Sequence, residues 1–170
     1  MYTESLPSTL GGKPLQNNLS RWLHGWPWEF RGTFTMPSDF LSNETFAKRL
    51  NRWATRFQKT SGLQIGFIGV IAWGDCRKHA HILGIGENRH GTTFQRRFYF
   101  SLRTMMKHGR ELPYYRLHPD YRLFWKGDYL IQPCTDVEEA AAYVGKHCGN
   151  PDHFEVIQYN TKLLQKTRLF

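Results

Sequence analysis

Two histidines separated by one residue, His79 and His81, and one tyrosine in a basic segment, Tyr143, are the side chains of this chain best suited to chemistry. Residues 79–85 follow a turn at 74–77 and read as the return strand of a hairpin. Residues i and i+2 of a strand point to one face, so the two imidazoles stand side by side while Ala80 points the other way, into packing. Neutral imidazole ligates divalent metals well, and two on a stiff strand are already aligned. Alone, the pair reads more simply as two polar residues on a solvent-facing strand.

Residues 137–148 read as a helix with clear ends. Thr135 and Glu138 have the spacing of a capping box, and Gly149, Asn150 and Pro151 close the segment. Positions i, i+3 and i+4 share a helix face, which groups Tyr143, Lys146 and His147. Ala140, Ala141 and Ala142 let such a helix sit close to a sheet. Gly145 costs about 1 kcal/mol relative to Ala in a helix, which a close backbone approach or the nearby helix end would explain. Taken singly, Tyr143 also reads as a core aromatic with its hydroxyl at the rim, and Lys146 as a favourable charge near a helix C-terminus.

The elements that position these residues follow from periodicity. Residues 30–36 are rich in Phe and Thr and alternate as a strand that Pro37 ends. Asn43 can cap a helix running to about residue 59, with Phe46, Leu50, Trp53 and Phe57 as its apolar stripe. Residues 64–73 form a mostly apolar strand, 94–107 look helical, and 121–133 supply one or two further strands. A last strand at 154–159 precedes a basic extension. The order predicts an α+β fold, helices packed on an antiparallel sheet, for which the ferredoxin-like layout fits. We expect a leader at 1–25, the main domain at 26–150, and residues 151–170 as its C-terminal strand and basic extension.

Composition narrows the function classes. The 170 residues are 40% hydrophobic and 15% aromatic, which suits one folded domain. A net charge of +9 and a pI near 9.7 predict an anionic partner, nucleic acid first. No apolar run is long enough to span a bilayer, and residues 1–12 lack a signal-peptide pattern. Cys76, Cys134 and Cys148 form no CxxC pair, so a thiolate zinc site is not expected. Free thiols point to a reducing, cytoplasmic location. No Walker-type phosphate loop is present.

Three segments together resemble the HUH endonuclease superfamily, specifically the single-tyrosine initiators of rolling-circle replication. Phe30-Arg31-Gly32-Thr33-Phe34-Thr35-Met36 resembles the family's first motif, His79-Ala80-His81-Ile82-Leu83 the paired-histidine motif, and Tyr143-Val144-Gly145-Lys146 the Tyr-x-x-Lys motif. The resemblance covers residues 30–149. It implies an HUH-type fold and a metal-dependent DNA nickase and strand transferase, with Mn2+ or Mg2+ held by His79 and His81. Tyr143 would be the nucleophile and Lys146 its catalytic partner, giving a 5′-phosphotyrosine and a free 3′-OH. Single-stranded DNA or an origin hairpin would be the substrate, and a host helicase a further partner. Single-tyrosine transposases or relaxases of the same superfamily are an alternative, as is a non-catalytic nucleic-acid-binding domain.

The metal site departs from the usual pattern. Relatives often place an acid on the neighbouring strand, but this hairpin sets Ala72 opposite His79 and Val70 opposite His81. Asp75 lies in the turn, and Glu87 is about 20 Å along an extended strand from His81. His147, one helical turn after Tyr143, is the better third ligand and matches a helix-borne ligand of some single-tyrosine transposases; it reads equally as a C-terminal capping histidine. For DNA contacts, Arg77, Lys78, Arg96, Arg97 and Arg103 are the expected phosphate binders, with Tyr99, Tyr114, Tyr115 and Trp125 as stacking platforms.

Overall fold

A computed structural model describes residues 13–36, 42–61, 64–73, 77–87, 129–147 and 154–169. The expected helix at 94–107, the strand residues before 129, and Asp75, Arg96, Arg97, Arg103, Tyr99, Tyr114, Tyr115 and Trp125 lie outside the described residues.

Among the described residues five strands, β1 (Phe30–Thr35), β2 (Gln64–Trp73), β3 (Lys78–Glu87), β4 (Tyr129–Pro133) and β5 (Phe154–Tyr159), form one antiparallel sheet in the order β4-β1-β3-β2-β5. Helices α1 (Lys13–Leu23), α2 (Asn43–Ser61), α3 (Val137–Lys146) and α4 (Thr161–Thr167) pack on it. The fold is α+β, as expected. β1 and β2 both run antiparallel to β3 and flank it, so the β1–α2–β2 connection skips over the central strand. The order of the first four strands is that of a split βαβ arrangement.

Alternation along the strands divides the core in two. On one face, Phe46, Leu50, Trp53, Ala54 and Phe57 of α2 bury against Phe30, Phe34, Phe67, Ala80 and Ile82. On the other, Leu19 and Leu23 of α1, Ala140, Ala141 and Val144 of α3, and Leu164 of α4 cover Val70, Ala72, Leu83 and Ile85. With both faces covered, β2 is buried from Ile65 to Ala72, so its sequence reads as a continuous apolar run rather than an alternating one.

The α2 stripe, the β2–β3 hairpin and β5 match their expected positions. Other expectations are corrected. The expected leader at 1–25 is helical from Lys13, with Leu19 and Leu23 fully buried. Pro14 is compatible with a helix because it stands in the first turn, where no intrahelical N–H bond is lost. The tail after β5 is not a plain extension but α4, tied to the N-terminal segment by Trp26 Nε1 donating to the Leu164 carbonyl at 2.7 Å and by Leu169 N–H donating to the Gly25 carbonyl at 2.8 Å. Both capping residues are displaced by one position. Ser42 rather than Asn43 caps α2, its Oγ accepting from Thr45 N–H at 3.2 Å. Asp136 rather than Thr135 caps α3, its carboxylate accepting from Glu139 N–H at 2.9 Å; a carboxylate also carries the charge that a helix N-terminus favours. α3 stops at Lys146, short of the expected end at 148, and His147 is its C-cap, one of the two readings expected for it.

Candidate metal centre and nucleophile

The pairing β2–β3 places Val70 opposite His81 and Ala72 opposite His79, as the hairpin spacing predicts. β3 is central, so its outward residues sit beneath a helix rather than in solvent. His79 and His81 face the layer that holds α3. Ala140, Ala141 and Val144 on its underside are small enough for the helix to lie close over the sheet. This closeness brings His147 onto the histidine pair. The His81 and His147 rings stack with centroids 3.9 Å apart, and His79 stands 4.6 Å from His81 and 5.7 Å from His147. One ring nitrogen from each of the three lies within 4.8 Å of the others, close enough to share a metal ion.

The hydrogen bonds around the cluster leave nitrogens free. His79 Nδ1 lies 3.0 Å from the Arg77 carbonyl. A carbonyl only accepts, so Nδ1 carries the proton and the lone pair resides on Nε2. His81 Nδ1 lies 3.1 Å from Thr33 Oγ1 on β1, which the register sets opposite His81. The Nε2 atoms of His81 and His147 are buried and have no hydrogen-bond partner. Buried polar atoms are normally satisfied, and two orphaned nitrogens in a three-imidazole cluster fit a ligand that accepts lone pairs. Second partners that fix the tautomer are the usual support of such a site.

Burial governs the charge state. His81 is 4% exposed, and burial, followed by the neighbouring His147 and His79, pushes its pKa down to about 3. His147 is shifted in the same direction by burial, then by His79 and Lys146. Both shifts favour the neutral imidazole, the ligating form.

Tyr143 stands one turn before His147, its ring centroid 5.1 Å from that of His81 and 5.0 Å from that of His147. It is 43% exposed, so a reactive hydroxyl here is reachable by a large substrate. Lys146 is exposed on the other side of Tyr143, lining a groove with Gln16, Asn17 and Ser20 of α1. Gly145 is explained by α1: a Cβ there would lie 2.9 Å from the Gln16 carbonyl oxygen. The close approach is therefore to a helix. Gln16 Nε2 also donates to the Lys146 carbonyl at 3.1 Å, holding the end of α3.

Of the expected DNA contacts, Arg77 is exposed, next to His79. Lys78 is 6% exposed, with its ammonium 5.0 Å from the Trp73 ring, because its strand position points toward the opposite face from His79. Glu87 pairs with Gln64 at the far end of the hairpin, away from the cluster. Glu29 is a buried acid that the sequence reading passed over; burial raises its pKa to about 7 against a hydrogen bond from Gly86 N–H. It lies four residues before Thr33, about 13 Å along β1, and so outside the site. Thr33 and the Arg77 carbonyl were also missed as supports of the histidines. The Phe/Thr alternation of β1 was the available signal for Thr33, but which strand it faces is a non-local property.

No helix among the described residues is long and apolar enough to cross a membrane. Comparison with known proteins finds no match: no family model fits the chain, and no curated protein or solved structure is detectably similar to it.

Proposed function

We propose that this chain is a metal-dependent single-strand DNA nickase and strand transferase of the HUH type, acting in the initiation of rolling-circle replication. One observation supports the reading most: β3 and α3 bring three imidazoles within reach of one metal ion, and two of them, His81 and His147, are in ring contact with an exposed tyrosine. A divalent ion bound by His79, His81 and His147 would supply positive charge to the scissile phosphate. All-nitrogen donors suit Mn2+ better than Mg2+, which prefers oxygen ligands.

The chain's own residues account for the rest. The Tyr143 oxygen loses its proton and attacks phosphorus; the new bond is P–O(Tyr), and the bond to the 3′ oxygen breaks. The departing oxygen takes a proton and becomes a free 3′-OH. Lys146, on the same helix face, offers a positive charge near the phenolate. The 5′-phosphotyrosine conserves the energy of the broken ester, so rejoining needs no ATP. With one nucleophilic tyrosine, each protein performs one nick followed by one transfer. The substrate is single-stranded DNA, free or exposed at an origin hairpin, with a host helicase as the natural supplier of further single strand.

The helix-borne third histidine also favours a second reading, a single-tyrosine transposase, because its ligand shares the helix of the nucleophile. Substrate separates the two: a transposase joins the cleaved end to a new target.

The test is incubation with a randomised single-stranded DNA library and Mn2+, followed by a denaturing gel. A slower protein band that survives SDS and is absent for Tyr143→Phe is expected. Cleavage without such a band points to hydrolysis, and binding without cleavage points to a non-catalytic nucleic-acid-binding domain.

A further inference from the structure

Beside the histidine cluster, between β1, β4 and α3, lies a cleft of about 280 Å³ whose lining has a definite chemistry. His81 is among its lining residues. Four large hydrophobic side chains are exposed among the described residues, and two of them, Leu130 at 55% and Tyr143 at 43%, border this cleft. Leu130 and Tyr143 leave apolar surface in water beside charged and polar lining groups, which suits the flat face of an aromatic ligand. Arg31 and Gln132 come from directly paired positions on β1 and β4. Glu139 comes from the first turn of α3.

Arg31 and Glu139 approach to 3.9 Å, an ion pair but beyond hydrogen-bond distance. The pair is exposed, and such pairs add little to folding. Each therefore keeps its hydrogen-bonding capacity for a third group. A guanidinium donates to the O6 and N7 acceptors of guanine. A carboxylate accepts two parallel N–H bonds, which N1–H and the N2 amino group provide on the adjacent edge of the same base. Adenine presents an acceptor at N1, where the carboxylate would repel it. Cytosine and thymine lack a pair of acceptors on one edge next to a pair of donors on another.

We propose that this cleft is a subsite for one unpaired guanine adjoining the phosphate that Tyr143 attacks. Arg31 and Glu139 read the two edges, Gln132 stands beside Arg31, and Leu130 and Tyr143 flank the ring. The placement next to the phosphate rests on the nickase reading; the base preference does not.

The test uses fluorescent thymidine pentamers with dG, dA, dC or dT at the central position, and Mn2+-loaded protein carrying Tyr143→Phe so that nothing is cleaved. Anisotropy should show the dG pentamer binding about tenfold more tightly than the other three. Arg31→Ala and Glu139→Gln, each on that background, should reduce the preference to twofold or less. Equal binding of all four pentamers, no binding of any, or a preference that survives both substitutions overturns the proposal. In parallel, the DNA ends captured by wild-type protein from the randomised library are sequenced. Adducts with no guanine bias sink the subsite and leave the nickase reading standing. A guanine preference in binding without any adduct does the reverse.

Discussion

Gly145→Ala inverts the usual rule for helices and so probes the packing of α1 on the helix that carries the site. In a free helix the change would stabilise by about 1 kcal/mol. Here the new Cβ would lie 2.9 Å from the Gln16 carbonyl oxygen and 3.2 Å from Ser20 Cβ. Comfortable contacts between such atoms are about 3.5–4.0 Å, so α1 must retreat by roughly half an ångström. The obstacle is backbone, and rotating a side chain does not relieve it. The retreat loosens Leu19 and Leu23 against Ala140, Ala141 and Val144 and lengthens the Gln16–Lys146 bond. Overpacking of this kind costs about 1–3 kcal/mol, so the net effect is a loss of about 1 kcal/mol. For a chain of this length that lowers Tm by about 2–4 °C, readable by thermal denaturation with circular dichroism. Ala142→Gly on the exposed side of the same helix gives the propensity cost alone. A rise in Tm for Gly145→Ala would refute the claimed contact between α1 and α3.

Three further outcomes follow from the geometry. His81 has a folded pKa of about 3, below the ordinary histidine value, so the unfolded chain binds its proton first. Stability is then complete above pH ~6.5 and is lost as pH falls toward 3, by about 2 kcal/mol between pH 6.5 and 5. Urea midpoints of metal-free protein should show this slope, and His81→Asn should flatten it. Thr33→Val removes the partner of His81 Nδ1 and should weaken Mn2+ binding by about tenfold, measured by calorimetric titration. Asp136→Ala should cost about 1 kcal/mol as loss of an N-cap, while Thr135→Ala stays within about 0.5 kcal/mol; equal losses would mean that both residues cap the helix.

Local patterns carried most of what was legible in the sequence. The spacing across the β2–β3 turn places Val70 and Ala72 opposite the histidines because a tight hairpin fixes register. The helical offset from Tyr143 to His147 likewise needs only the 3.6-residue period. What was not legible depends on contacts between distant segments. Thr33 meets His81 because β1 pairs with β3 across α2 and β2, a pairing that no local pattern specifies. α1 carries an apolar stripe of Leu15, Leu19, Trp22 and Leu23, but Pro14, Asn17 and Asn18 gave its surroundings the composition of a loop. Its partner, the Gly145 side of α3, is more than a hundred residues away. Lys78 looked like one more basic contact in a charged turn, yet its strand parity turns it from the histidine face. The caps slipped by one residue because Thr135 and Asp136, like Ser42 and Asn43, are all competent capping residues; only the backbone geometry chooses between neighbours.

The central claim is that Tyr143 is the nucleophile of a metal-dependent strand transfer. The most direct measurement is intact-mass analysis, with peptide mapping, of wild-type protein incubated with single-stranded DNA and Mn2+. The account predicts a mass increase equal to a DNA fragment joined through its 5′ phosphate, carried by the peptide containing Tyr143. The increase should be lost in Tyr143→Phe and on chelation of the metal. An adduct on a different residue, or one that persists in Tyr143→Phe, would contradict it.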